Sequence, residues 1–462
     1  MTNNVNSEKI TFEDRDEYKR KPIAEKVISL LKDNSIPVSP MIIDGEWGTG
    51  KTEFCHKLIN LITKENPEPF RTIYINAFQA DHADEPLMTL LASILNLIKN
   101  DMPKYDLFRK KVLPTIQFLL KTVAKASISW TLRLDSKEIN QIGNELINHT
   151  FDGLLKEHED ANKNIQTLQI ALKELTKNNS IVIFVDELDR CRPDFAIAIL
   201  ETIKHIFAVK GLQFVLITNS KQLRSSINHC YGVSVDAKKY LDKFIGFSFT
   251  LPVTVKISHE YYHLSTEHFI SLINSHFPAL LQMPIESFWI ELFKNNQLSL
   301  REVETFTKNL QIYSRLANEK FDLLGRDDIN GLYMLKIFGV FIFSFFPEIQ
   351  TKLSIDPIVP SEITPALRQK IIPNIESEIP VSPDKYVQIT YVMFWIDDKI
   401  IDSKYNPWKK PEGLFKVPSQ GWEHSINGLF PGALKEGGIN AEITTIKEVI
   451  QTLMLMDNNK AS

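Results

Sequence analysis

Residues 45–52 read Gly-Glu-Trp-Gly-Thr-Gly-Lys-Thr, with three glycines spaced closely ahead of a lysine and a threonine. A short apolar run, residues 41–43, precedes them, and residues 53–62 have the apolar spacing of a helix. Glycines between a strand and a helix allow successive backbone N–H groups to turn towards one phosphate, at the positive end of the helix dipole. The pattern therefore predicts a strand, a phosphate-binding loop and a helix, as in an α/β fold with a parallel sheet.

The side chains of this loop are suited to a nucleotide. Lys51 is expected to reach the β- and γ-phosphates, and the hydroxyl of Thr52 to bind Mg²⁺. A glycine-rich turn with an incidental lysine is the alternative, and the strand and helix on either side argue against it. Nucleotide contacts are expected from Gly45, Glu46, Trp47, Gly48, Thr49, Gly50, Lys51, Thr52 and Glu53.

Composition limits the protein class. The chain has 462 residues, 43% hydrophobic and 24% charged, and at ~100–200 residues per domain it is expected to form about two to four units. The net charge of -4 gives no signature of nucleic-acid binding. Three cysteines without paired spacing and a polar beginning predict a cytoplasmic protein without disulfides.

Two apolar segments are the best candidates for membrane spans. Residues 332–346 contain Lys336, and residues 114–132 contain two lysines. A spanning helix needs about 20 apolar residues. Both segments are therefore expected to be buried core helices, and any contact with a membrane to be peripheral.

Strand-length apolar runs alternate with helical patterns between residues 21 and 252, which is typical of an α/β unit with a mainly parallel sheet. The predicted strands are 41–43, 72–76, 181–185, 213–218 and 247–251.

Helical patterns dominate the other segments. The interval between the second and third strands exceeds what a crossover helix needs, so about 95–165 is expected to be a helical insertion. Residues 1–20 are expected to form a charged arm. The segment 253–325 is expected to be helical, and 326–462 to be an α-rich C-terminal region whose role the sequence does not indicate.

Two acids follow the third predicted strand. Asp186 and Glu187 end the apolar run 181–185, at the carboxyl edge where open α/β sheets place their ligands. Beside a phosphate loop, Asp186 is expected to hold Mg²⁺ and Glu187 to polarise the attacking water. A solvent-exposed strand end is the alternative, and the order of the two motifs favours the functional interpretation.

Asn219 ends the fourth predicted strand and has two open interpretations. It would contact the γ-phosphate or the attacking water, or it would cap the next helix. The residues that commonly read guanine are absent, since 219–222 read Asn-Ser-Lys-Gln and no glycine follows Asp186 at the third position. We therefore expect ATP as the nucleotide.

Several blocks together resemble the KAP family of P-loop NTPases, which is related to the AAA+ and STAND ATPases. They are the loop with Trp47, the run 75–78 (Ile-Asn-Ala-Phe), which looks like the family's second strand, the run 186–193 (Asp-Glu-Leu-Asp-Arg-Cys-Arg-Pro), and residues 239–244 followed by 249–252. The resemblance covers about residues 15–320. Phe78 stands where the family usually has Trp, and Asn219 where it often has Asp.

The resemblance implies a P-loop NTPase fold with a parallel sheet, a helical insertion, a helical lid over 253–325 and an α-rich C-terminal region. It implies catalytic roles for Lys51, Glu187, Asn219 and Arg301, with Arg301 on the lid. Lys243 would approach the phosphates. Arg190 and Arg192 would act in trans on a second subunit, or would pair in cis with Asp186, Asp189 or Glu201.

The implied activity is Mg²⁺-dependent ATP hydrolysis that drives a conformational switch or assembly, with a protein partner or self-assembly, as in defence against phage. An ATP-binding interaction module with negligible turnover is the alternative. A third hypothesis comes from His259-Glu260-x-x-His263, the pattern of a zinc metalloprotease when it lies on a helix. Its longer form is absent, since Thr266 and Phe269 occupy the later positions.

Overall fold

The computed structural model describes residues 10–112, 151–355, 366 and 443–455, except 17, 34, 66–69, 109, 178, 258–259, 283–285 and 319–329. Residues 1–9, most of the expected insertion, the apolar segment 114–132 and most of 356–462 lie outside this part. The chain forms two compact units. The first comprises Met1–Glu46 and Gly50–Pro252, and the second Trp47–Thr49 and Val253–Ser462.

The first unit contains a five-stranded sheet in the order β2-β3-β4-β1-β5, in which every neighbouring pair is parallel. All five predicted strands are confirmed within two residues at each end. The third strand is buried at six of its seven positions, as expected for a strand covered on both faces. The strands are β1 (Met41–Asp44), β2 (Phe70–Asn76), β3 (Ser180–Asp186), β4 (Leu212–Thr218) and β5 (Phe247–Thr250).

Helices cover both faces of this sheet, and local sequence explains where several of them begin. Pro193 occupies the first position of α6, where its missing N–H is not needed. Asn219 caps α7 and Asp236 caps α8 through their side chains. The helices include α1 (Lys21–Lys32), α2 (Lys51–Glu65), α3 (Ala77–Ala80), α4 (Pro86–Ile98), α5 (Phe151–Leu175), α6 (Pro193–His205), α7 (Ser220–Tyr231) and α8 (Ala237–Asp242), with 3-10 turns at Asp81–Ala83 and Leu188–Arg190.

Residues 10–20, part of the segment expected to be a charged arm, pack against α2. Phe12 is 6% exposed, and its ring lies 5.9 Å from that of Phe54. Lys57 donates to the carbonyl of Arg15, and Asn60 donates to the carbonyl of Ile10 over 2.8 Å. This segment therefore contributes to the core beside the helix that follows the phosphate loop.

The second unit begins with an antiparallel hairpin, β6 (Thr254–Ile257) and β7 (Glu260–His263), in a segment expected to be helical. Helices follow it, and α11 begins with a capping box in which Ser299 and Glu302 bond each other's backbone N–H. The helices of this unit are α9 (Leu264–His276), α10 (Glu286–Asn296), α11 (Leu300–Leu316), α12 (Asn330–Phe345), α13 (Pro347–Ile355) and α14 (Ile443–Leu453), with a 3-10 segment at Pro278–Gln282.

One aromatic core holds the second unit together. The ring of Phe293 lies 4.7 Å from Phe269 and 5.5 Å from Phe306, both roughly edge-on, a favourable arrangement of aromatic pairs. Residues of α12 and α14 belong to the same core, so the described part of the C-terminal region packs with the helices before it. In the part of the chain that the structure describes, no helix combines the length and apolarity needed to cross a bilayer.

Candidate nucleotide site

The phosphate loop joins the end of β1 to the start of α2. Gly48 and Gly50 have φ angles of 75° and 78°, in the left-handed region that only glycine adopts without strain. The Lys51 Nζ donates to the carbonyls of Gly45 and Glu46 over 2.7 and 3.0 Å. Burial lowers the pKa of this ammonium, and nearby carboxylates, Asp189 first, oppose the shift. An ammonium folded over the loop in this way can turn to phosphate oxygens by rotation of its own side chain.

Strand register brings the two acids to the same edge as the loop. In the sheet Asp44 pairs with Thr218, and Ile217 pairs with Asp186, so β1, β4 and β3 end together. Asp186 is 1% exposed. Its carboxylate accepts bonds from the backbone N–H of Glu187 over 2.8 Å and from the Tyr74 hydroxyl over 3.1 Å.

The Thr52 hydroxyl lies near enough to the Asp186 carboxylate to lower its pKa. The first turn of α2 and the end of β3 therefore present a hydroxyl and a carboxylate side by side. Burial raises the pKa of Asp186 to about 6, against the lowering effect of Thr52 and of the hydrogen bonds from Glu187 and Tyr74. Both oxygen donors belong to the types that bind Mg²⁺ in proteins.

Glu187 has a left-handed backbone with φ of 61°, which is uncommon for a residue with a side chain. One carboxylate oxygen accepts from the Asn76 amide over 3.0 Å, and the other forms an ion pair with Arg190 at 2.9 Å. Strained backbone is frequent where a side chain is held for function. Both oxygens of this carboxylate are therefore occupied by protein groups.

A comparison with protein families gives a direct result. A model of the KAP family P-loop domain matches residues 20–317, more than half of the chain. The chain belongs to the KAP family. No curated protein matches it. Among solved structures it is similar to the Aeropyrum Pernix ORC2 protein in ADPNP-ADP complexes, at 12% identity and a TM-score of 0.32, over 95% of this chain and 94% of that one.

Two residues of this KAP protein's site were not predicted, Tyr74 and Asn76. Both lie on β2, which pairs in parallel with β3 so that Asn76 stands beside Asp186. Their positions in the sequence could have indicated them. Polar side chains near the end of a strand that neighbours β3 must lie close to Asp186 and Glu187. The sequence resemblance had marked Asn76 only as part of a strand block.

Asn219 has the capping role, one of the two interpretations left open by the sequence, and a second contact in the phosphate loop. Its Oδ1 accepts from the backbone N–H groups of Lys221 and Gln222 at the start of α7. Its Nδ2 donates to the Glu46 carboxylate in the phosphate loop over 2.9 Å. The amide therefore caps a helix and holds the loop that precedes Lys51.

Arg192 and Lys243 do not have the neighbours that were expected for them. Arg192 pairs with Asp81 and Asp84, at 3.0 and 2.6 Å, and not with any of the three acids expected for it. Lys243 lines a cavity together with Pro40 and Leu212, at the opposite end of the sheet from the phosphate loop. The expectation that Lys243 approaches the phosphates is therefore wrong, because the turn after α8 lies at the amino ends of the strands.

Glu53 and Arg301 have contacts of other kinds. The Glu53 carboxylate pairs with Lys57 at 2.8 Å and Arg15 at 3.0 Å. Arg301 is exposed in the first turn of α11. Gly48 belongs to the second unit by its contacts. Its carbonyl accepts a hydrogen bond from the backbone N–H of Leu300 over 3.0 Å. A Cβ added to Gly48 would lie 2.9 Å from the Cβ of Arg301, so only glycine fits there.

The zinc-protease hypothesis is wrong. Its pattern requires two histidines on one face of a helix, but Glu260–His263 is strand β7, and His259 lies outside the described residues. His263 Nδ1 is 2.5 Å from the Ser265 hydroxyl. Among the residues that the structure describes, no group of three His, Cys, Asp or Glu side chains is arranged to hold a metal.

The raised pKa of Asp186 predicts a pH dependence of stability. Because its pKa in the folded protein, about 6, exceeds the ordinary 3.8, the native state binds the extra proton first as pH falls. When the pH falls from 7 to 4 without nucleotide, the free energy of unfolding of wild type should increase by about 2–3 kcal/mol relative to that of Asp186→Asn. The increase should disappear when the pH is returned to 7. Denaturant unfolding at several pH values measures this. Asp194→Asn, an exposed change, should give no such gain, and a pH-independent difference for Asp186→Asn would contradict the prediction.

Proposed function

We propose that the protein is a Mg²⁺-dependent ATPase. The observation that carries the proposal is the meeting of Lys51 and Thr52 with Asp186 and Glu187 at the carboxyl edge of one parallel sheet. A lysine for the phosphates and a hydroxyl–carboxylate pair for a divalent cation are the parts that phosphoryl transfer needs. Glu187 adds a carboxylate beside them.

The donor set fits Mg²⁺. This ion keeps several waters and is held through one or two carboxylates together with substrate phosphates. Thr52 and Asp186 would hold it, in keeping with the absence of a larger protein ligand cluster in the described part of the chain. When bound, Mg²⁺ supplies positive charge that stabilises the charge developing on the transferred phosphoryl group.

The other residues of the site would bind the phosphates, activate the water and position the loop. The backbone N–H groups of 45–53 would surround the phosphates. Lys51 would leave the carbonyls of Gly45 and Glu46 and neutralise the negative charge of the phosphates. Glu187 would accept a hydrogen bond from the attacking water and take its proton. Asn219 would keep the loop in place through Glu46, and Arg301 would approach the nucleotide from the lid.

The structure supports a resting state in which Glu187 is held away from this task. A carboxylate that accepts an amide N–H from Asn76 and pairs with Arg190 has both oxygens engaged. Each oxygen can accept a second hydrogen bond, and release of one partner on nucleotide binding would free the carboxylate to turn towards the attacking water. We propose that this release accompanies a conformational switch or assembly involving a protein partner or a second copy, with 21–252 as core, 253–325 as lid and 326–462 as a further region. A role in defence against phage rests on the family resemblance alone.

Phosphate release from the purified full-length chain tests the proposal. ATP with Mg²⁺ should support turnover, GTP should support less, and EDTA should abolish it. Tight ATP binding without phosphate release would favour the second candidate function, an ATP-binding interaction module. The observation that favours that module is the engagement of both Glu187 oxygens.

Asn76→Ser should raise the rate of ATP hydrolysis. Serine retains an oxygen that can cap α3 as Asn76 does for the N–H of Gln79, but it is too short to donate to Glu187. A single hydrogen bond is worth about 1 kcal/mol, so release of Glu187 should increase turnover about 5-fold. Steady-state phosphate release measures it, with Tyr74→Phe as a neighbouring variant that leaves Glu187 bonded. A lower rate for Asn76→Ser would show that this bond positions Glu187 productively.

A further inference from the structure

A second concave site lies in the first unit, far from the phosphate loop. The cavity has a volume of about 650 Å³ and is lined by the segment before β1, the segment joining α6 to β4, and the turn after α8. Pairing of Met41 with Val215 and Phe247 places it at the amino ends of β1, β4 and β5. The rest of β4 beyond the lining residue Phe214, about 16 Å of strand, separates the cavity from Asn219.

The accessible apolar lining of the cavity comes from Ile36, Pro37 and Ala208, which are exposed, and buried side chains pack beneath it. Phe207 and Phe214 are each 1% exposed, with ring centroids 6.1 Å apart at 70°. Val209 and Leu212 add buried aliphatic surface. A volume in the range of ~300–1,000 Å³ with such a lining is typical of sites for small molecules.

The rim carries an excess of positive charge. Lys204, Lys210 and Lys243 line the cavity and are exposed, against one carboxylate, Asp33. The Asp33 carboxylate is engaged by Ser35, whose N–H and hydroxyl donate to it over 2.8 and 2.5 Å, and these bonds lower its pKa.

Lys204 is fixed in place within this rim. Its Nζ donates to the carbonyl of Lys243 and lies 4.9 Å from the centre of the Phe244 ring. Among the described residues, no carboxylate forms an ion pair with any of the three lysines. An anion at this rim would therefore not have to displace a protein carboxylate.

Of two polar side chains in the wall, Gln213 has its free acceptor closed off from the cavity, and Ser39 has unused donor capacity. The Gln213 Nε2 donates to the carbonyl of Leu31, but its Oε1 is buried without a hydrogen-bond partner in the part of the chain that the structure describes. Such acceptors are rare and call for an explanation. The Ser39 hydroxyl oxygen accepts from the N–H of Phe214 over 2.9 Å, and its own hydrogen is not used in that bond.

We propose that this cavity binds a small amphipathic anion, with an aliphatic or aromatic body against the exposed apolar surface of Ile36, Pro37 and Ala208 and a carboxylate or similar group at the lysine rim. The proposal is independent of ATP hydrolysis, because every lining residue lies outside the phosphate loop and the acidic strand end.

Titration with 8-anilinonaphthalene-1-sulfonate, an aromatic anion with one N–H donor, tests the site. Fluorescence of the probe measures binding, and the full-length protein should bind one probe molecule per chain. Lys210→Gln/Lys243→Gln should weaken binding about 20-fold, at about 5-fold for each lost charge. Ala208→Trp, which fills the cavity from an exposed lining position, should abolish saturable binding. Lys238→Gln/Lys239→Gln on α8 removes the same charge outside the cavity and should change affinity less than 2-fold.

Competition identifies the chemistry and the location. Decanoate should displace the probe at a concentration at least about 10-fold lower than decanol, its neutral counterpart, since only the carboxylate can use the lysines. Mg²⁺ with ATP should not displace it. The proposal is overturned if the two double variants weaken binding equally, if decanol competes as well as decanoate, or if ATP displaces the probe one for one. Melting temperatures within a few degrees of wild type show that each variant is folded.

Discussion

Glu187→Gln is expected to retain ATP binding and to release phosphate about 10²–10⁴-fold more slowly than wild type, the usual loss when a general base is removed. The amide keeps the size of the carboxylate and can still accept a hydrogen bond from Asn76. It cannot take a proton from water at neutral pH. The rate should therefore fall without a matching loss of affinity, which separates catalysis from binding.

Single-turnover phosphate release and calorimetric ATP binding measure the two quantities on the same preparation. The substitution also breaks the 2.9 Å ion pair with Arg190, so stability must be measured alongside. Glu201→Gln is a matched control, because its carboxylate accepts from Tyr231 and Tyr240 and not from residues of the nucleotide site. Equal rates for wild type and Glu187→Gln would refute the catalytic role of Glu187 and favour the binding module.

The sheet was predictable because its signal is local. Each strand is a short apolar run, and the run that becomes β3 has no polar alternation, as burial on both faces requires. Glycines before a lysine and acids after an apolar run are likewise local patterns. They are sufficient to place Lys51, Thr52, Asp186 and Glu187 at one edge of a parallel sheet.

The partners of those residues were not predictable because they depend on register between distant segments. Asn76 and Glu187 are 111 positions apart, as are Arg192 and Asp81. No local pattern fixes which polar side chain meets which. Packing between distant segments also explains why residues 10–20 were expected to form a charged arm. Nothing in the local sequence shows that Phe12 packs against Phe54.

The hairpin of β6 and β7 shows a competing local signal. Its second strand contains most of the His-Glu-x-x-His pattern, which has meaning only on a helix. Thr254–Ile257 alternates polar and apolar residues, the period of a strand. This period agrees with the observed hairpin, whereas the segment was expected to be helical.

Lys51→Ala is expected to weaken ATP binding about 100-fold or more. Hydrogen bonds to charged groups are worth about 1.5–3 kcal/mol each, and the lysine is expected to contact two phosphates. The apoprotein should lose little stability, since Lys51 bonds only to the carbonyls of Gly45 and Glu46, which water can reach once the side chain is gone. Calorimetric titration with ATP and Mg²⁺ measures the affinity, and thermal unfolding without nucleotide measures the stability.

Two variants separate charge from position. Lys51→Arg keeps the positive charge, but its planar guanidinium does not replace an ammonium in a closely fitted loop, so its affinity should fall nearly as far. Lys238→Ala, an exposed change on α8, should leave affinity unaltered. If Lys51→Ala bound ATP as tightly as wild type, the lysine would not contact phosphate, and its folded-back position over Gly45 and Glu46 would be its permanent one. A 100-fold loss with unchanged stability would instead show that this ammonium leaves the loop carbonyls when the phosphates arrive.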